Sequence, residues 1–150
     1  MLKNAFYSLI LFIGCCNVSL AQSSLDKLQQ LLKHNKGKVI YVDIWASWCI
    51  PCRESFPWMN NMQDKYSDLK IISVNLDHDK SLTKEFLKDV PAQFPIIYDP
   101  KGQIAKHYKL IGMPSSYIYN KAGQLISTHM GFNETKQKKY ELELQHLLLQ

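Results

Sequence analysis

Two cysteines, Cys49 and Cys52, stand three positions apart, with Ile50 and Pro51 between them and Trp48 immediately before. Thiols at that spacing can close a disulfide or ligate a soft metal. A closed zinc site needs four ligands, and the sequence offers neither a second such pair nor a spaced pair of histidines. A purely structural disulfide is expected to clip a long loop, because the loop-closure account gives more stabilisation to longer loops. Two intervening residues close almost no loop. Reversible thiol-disulfide exchange is the favoured chemistry: one thiolate attacks a partner's disulfide or is attacked by a partner's thiol, and the second resolves the mixed disulfide.

The neighbouring elements divide those roles. Val39 to Trp45 is an almost unbroken apolar run of strand length, suited to a strand buried on both faces. A helical stretch follows the cysteines to about Tyr66, with Pro57 expected to kink it. Cys49 therefore falls near a helix N-terminus, where unpaired N–H groups and the positive dipole end favour a thiolate. Cys52 lies one turn inside and is shielded. Asp43 is the anomaly in the buried strand. Burial raises a carboxyl pKa, which would make Asp43 a general base and acid for Cys52 near neutral pH.

Around this core the pattern reads as one domain. A helix from Leu25 to His34, capped by Ser23 or Ser24, precedes the first strand, and Leu69 to Leu76 is a second strand, parallel to it across a helical crossover. Ser81 is expected to cap a helix reaching Val90, and Phe94 to Tyr98 is a short strand followed by a helical piece from Gln103 to Tyr108. Ser115 to Tyr119 and Gln124 to His129 read as an antiparallel hairpin across Asn120-Lys121-Ala122-Gly123, and Asn133 can cap a last helix to about Leu149. The expectation is an α/β fold, a mixed sheet covered on both faces by helices.

The 150 residues suit a single domain, and a 46% hydrophobic, 21% charged composition is that of a packed globular chain. The net charge of +5 is spread out except at Lys136, Lys138 and Lys139, a solvated helix face with no nucleic-acid motif beside it. The first twenty-one residues obey other rules. Lys3, the apolar run Ala5 to Ile13 and the small residues Ser19 and Ala21 read as a secretory signal peptide, leaving residues 22–150 as the mature domain. Gly14-Cys15 also resembles a lipoprotein box, which would make a lipid-anchored Cys15 the first residue. Export to the periplasm or cell envelope follows on either reading, and cleavage after Ala21 removes Cys15 and Cys16.

VDIWASWCIPC resembles the active-site strand and loop of thioredoxins, and Gly112-Met113-Pro114-Ser115-Ser116-Tyr117-Ile118 is similar to that family's second signature, a cis proline facing the cysteines. The resemblance covers nearly the whole mature chain. With the export signal and the segment from Asn75-Leu76-Asp77 to Asp99, it looks like the TlpA/ResA branch, which implies a thioredoxin fold with a helix-strand insertion. It further implies Cys49, Cys52, Asp43 and Pro114 as catalytic residues, and Trp48, Ile50, Pro51 and Met113 as the surface that receives substrate. The implied partners are protein thiols and disulfides, such as apocytochrome c cysteines in cytochrome c biogenesis, with a membrane electron donor. The implied form is a monomer with no cofactor beyond the Cys49–Cys52 pair. Two departures stand out: Ser55 occupies the position where the branch commonly has Glu, with Glu54 one place earlier, and Ser73 stands where a Lys often accompanies the buried Asp. Ile50 offers no charge or donor to a thiolate, so a reductant is expected rather than an oxidant or isomerase. His78 and His107 have no partner pattern and receive no role.

Overall fold

The computed structural model of the protein describes residues 22–150. The leader, its cleavage site and Cys15 lie outside the described residues. Helix α1 (Ser24–His34) opens on a capping box, in which the Ser23 hydroxyl accepts from the Asp26 N–H and the Asp26 carboxylate answers at the Ser23 N–H. Strand β1 (Val39–Trp45) is buried along its whole length, as its unbroken apolar run requires. Helix α2 (Ile50–Lys65) follows and runs unbroken through Pro57. Strand β2 (Leu69–Asn75) pairs in parallel with β1, residue for residue from Val39 opposite Leu69 to Trp45 opposite Asn75.

Helix α3 (Lys80–Asp89) starts earlier than its sequence suggests. Its cap is Asp79, whose carboxylate accepts from the Ser81 N–H, and Ser81 lies inside the first turn. Both residues are good cap formers; an ionised carboxylate on a helix N-terminus makes the stronger bond. Strand β3 (Ile96–Tyr98) is shorter than the apolar run containing it, because only these residues pair with β2. Helix α4 (Gln103–His107), strands β4 (Ser115–Tyr119) and β5 (Leu125–Met130), and helix α5 (Glu134–Leu148, capped by Asn133) complete the chain. The sheet order is β3-β2-β1-β4-β5, with β4 antiparallel to β1 and β5 antiparallel to β4.

Alternation along the strands makes two cores. Leu28 of α1, Ile104 of α4 and Ile40, Val42, Ile44, Ile72 and Val74 pack on one face. On the other, Val39, Tyr41, Trp45, Ile71 and Ile118 meet Phe56, Met59 and Met62 of α2 and Tyr140, Leu144 and Leu147 of α5. Both cysteines and Asp43 belong to this second face. Among the described residues no helix is long and apolar enough to cross a membrane.

Candidate active site

β1 delivers the chain to the cysteines. Ala46 to Trp48 turn, the Cys49 N–H donates to the Ala46 carbonyl at 3.1 Å, and Cys49 itself is the N-cap of α2, with extended φ −86° and ψ 107°. Pro51 sits in the first turn, where its missing N–H has no intrahelical partner to lose. Cys49 and Cys52 are joined in a disulfide with their Cα atoms 5.3 Å apart. Cys49 keeps 5% exposure while Cys52 has none. A thiolate on Cys49 would face the free N–H groups of the helix start, and Cys52 is reachable only through its neighbour. Ser55, at the position of the branch's Glu, is buried behind Cys52 and donates to its carbonyl at 2.9 Å.

The turn is held from below by a residue whose role was not visible in the sequence. The buried Asp77 carboxylate accepts from the Ser47 N–H (3.1 and 3.2 Å), the Ser47 hydroxyl (3.0 Å), the Asn75 amide (2.9 Å) and the Thr83 hydroxyl (3.0 Å). Asp77 thus ties the cysteine turn to the end of β2 and to α3. The Leu76 N–H donates to the Trp45 carbonyl at 2.9 Å and extends the same tie.

β4 begins at the end of the sheet where β1 finishes, since Ser115 lies opposite Ile44. The Met113–Pro114 peptide just before it is cis. Pro114 is buried, Met113 packs against the cluster that contains both cysteines, and the Met113 N–H and C=O have no hydrogen-bond partner among the described residues. The Pro114 carbonyl is taken by the Gly131 N–H at 2.7 Å. Gly112 is pressed against β5: a Cβ there would meet Met130 Sδ at 2.8 Å. Trp48 and Ile50 are 70% and 73% exposed, and so are available to a partner. Ile111 (88%) and Met130 (50%) add exposed apolar surface at this same end. Neither was singled out in the sequence: Ile111 belongs to no periodic element, and Met130 reaches the site only through strand pairing.

Asp43 lies on the α2-α5 face with 1% exposure, and burial pushes its carboxyl well above the ordinary range. Its Oδ2 has no hydrogen-bond partner. Ser73 and Ser116 flank it in register on β2 and β4, and Ser73 is occupied by the Trp45 indole, which donates to its hydroxyl at 2.9 Å. No cation relieves the buried acid from Ser73. His78 and His107 are exposed.

A profile of the Redoxin family matches residues 16–144. The thiol-disulfide oxidoreductase ResA of Bacillus thuringiensis subsp. konkukian is 34% identical over 114 residues, covering 75% of this chain, which spans 64% of that relative's length. A solved structure from Chlorobium tepidum, described as a thiol:disulfide interchange protein DsbE, superposes with a TM-score of 0.75 at 41% identity, covering 78% of this chain and 84% of the other. The exposed lipoprotein thioredoxin of Streptococcus pneumoniae superposes with a TM-score of 0.66 at 28% identity, covering 77% and 90%. The architecture is the thioredoxin fold.

Proposed function

The chain belongs to the Redoxin family, and from that premise we propose that it is a thiol-disulfide oxidoreductase that reduces disulfides of exported proteins through Cys49 and Cys52. The observation that carries this is the asymmetry of the pair: Cys49 caps α2 and keeps some exposure, whereas Cys52 is sealed beneath it. In the reduced protein the Cys49 thiolate attacks a sulfur of the substrate disulfide. The Cys49–substrate bond forms, and the other substrate sulfur leaves as a thiolate. Cys52 gives up its proton to Asp43 and attacks Cys49 Sγ. The Cys49–Cys52 bond forms and the substrate's second sulfur departs, so the substrate gains two electrons and the protein loses two. No cofactor beyond this pair is required. Substrate chain lies along the Met113 N–H and C=O, as an added strand would, with Trp48, Ile50 and Pro51 as apolar contacts.

Reduction rather than oxidation is supported by what surrounds the thiols. A strong oxidant is one whose reduced form is stabilised. Ile50 contributes no charge or donor, and an ionised Asp43 would disfavour a thiolate nearby. The potential is expected below about −200 mV, and one above about −150 mV after equilibration with glutathione would overturn the direction. A reductant in an oxidising envelope needs electrons from a membrane donor. Cysteines of apocytochrome c are a suitable substrate class, and capture of partners by Cys52→Ser in the native cell envelope identifies the substrates. The lipoprotein among the similar structures keeps a lipid-anchored Cys15 terminus in play beside cleavage before Gln22, and intact mass of the exported protein distinguishes the two.

A further inference from the structure

The sheet divides the molecule's charge as well as its core. Residues 22–38 and 100–110, which carry α1 and α4, hold seven lysines and a single carboxylate, Asp26. That carboxylate is already engaged by the Ser23 N–H and hydroxyl of the capping box. Asp99, just ahead of α4, is buried and accepts from the Ser24 hydroxyl and the first N–H groups of that helix. Lys38 donates to the Ser67 carbonyl. Lys27, Lys33, Lys36, Lys101, Lys106 and Lys109 are all exposed, and none has a salt-bridge partner among the described residues. The ion pairs lie elsewhere, on α2, α3, α5 and β5. An ordinary solvated helix face interleaves its signs, as α5 does where Lys138 meets Glu134. Over α1 and α4, which are joined where Ser24 donates to Gln103, the positive charge is unanswered.

We propose that the α1–α4 face docks on the anionic phospholipid surface of the membrane, with its lysine ammonium groups against lipid phosphates. The place where the chain enters this face points to that occupant. Gln22 shares one hollow with Lys27 and Lys80 and another with Lys101. A lipidated Cys15 would stand seven residues before Gln22, a reach of about 25 Å when fully extended, so this rim of lysines would be held close to the bilayer. A reductase fed by a membrane donor also has to work at the bilayer, and the docking rests to that extent on the proposed function. The protein would lie on the membrane through charge, an attraction graded by the number of lysines and felt over about 10 Å at 0.1 M salt. Both cysteines pack in the core on the other side of the sheet, so the docked face does not cover Cys49.

Sedimentation with lipid vesicles tests the docking on residues 22–150, which contain both cores and every described element. The protein should pellet with vesicles containing phosphatidylglycerol in dilute buffer, stay in solution with pure phosphatidylcholine, and be released by about 0.5 M salt. Lys27→Gln, Lys33→Gln and Lys106→Gln together should weaken binding about a hundredfold, about fivefold for each lysine. Lys65→Gln, Lys138→Gln and Lys139→Gln remove the same charge from α2 and α5 and should weaken it by no more than about fivefold in all. Both triple variants should reduce insulin at the wild-type rate, which shows that each is folded and separates loss of docking from loss of the reductase. Wild type left in solution with phosphatidylglycerol vesicles, the result expected if an acidic protein were the partner of this face, overturns the docking. So does equal weakening by the two triple variants, which would mean attraction to net charge alone. Vesicle binding as expected with no insulin reduction by wild type would sink the reductase reading and leave the docking standing.

Discussion

Asp43 is the residue whose ionisation and whose burial are in conflict. Its carboxyl is raised by burial, so the folded state binds a proton that the unfolded chain has already released near pH 4. Its contribution to stability is therefore undiminished below the unfolded pKa and is lost as pH rises toward the folded one. Asp43→Asn should melt several degrees above wild type at pH 7, with the gain vanishing near pH 3, because about 1.4 kcal/mol accompanies each tenfold change in proton affinity and about 4 °C each kcal/mol. The same variant should resolve mixed disulfides more slowly. A melting temperature that is unchanged at pH 7 would mean that the acid is not desolvated. Asp77, unlike Asp43, is fully hydrogen-bonded where it is buried, by the Ser47 N–H and hydroxyl, the Asn75 amide and the Thr83 hydroxyl. Asp77→Asn places an amide against donors and should cost about 1–3 kcal/mol, with lower reductase activity as the cysteine turn loosens. Thermal melts and insulin reduction check both. Asp43 stood out in sequence as one acid in an apolar run. Asp77 did not, because an Asp after a strand reads as an ordinary turn residue.

At the scale of elements, what sequence reveals depends on how local the determining interactions are. β1, β2 and α2 were legible because apolar runs and the Cys-Ile-Pro-Cys start carry their own signals. The cap of α3 moved from Ser81 to Asp79 because two competent caps stand two residues apart. The pairing of β5 with α5 left no trace, because His129 and Glu143 lie on separate elements and each reads as a surface residue alone. β5 is an exposed edge strand apart from Ser127 and His129, so its attachment to α5 depends on those contacts. Glu143→Ala should speed amide exchange across Leu125–Met130 about tenfold, equivalent to about 1.4 kcal/mol, while β1 and β2 stay protected. Uniform acceleration across the whole sheet would show instead that Glu143 supports global stability.

The molecule as a whole gathers its chemistry at one end of the sheet, where β1 and β2 finish and β4 begins. Sequence placed Cys49, Cys52 and Pro114 there through two short motifs, and the strand order that joins them is what only a fold can supply. For a reductant, the folded state favours the disulfide over the dithiol, so the oxidised protein should melt at a higher temperature than the reduced one. The reverse order would indicate an oxidant. The central claim, catalysis of protein disulfide reduction by Cys49 with Cys52 resolving, is tested most directly by insulin reduction with dithiothreitol as electron source. Wild-type protein should accelerate precipitation of the insulin chains, Cys49→Ser should abolish the acceleration, and Cys52→Ser should stall as a mixed disulfide on Cys49. Equal precipitation with wild type, Cys49→Ser and no protein at all would contradict the account.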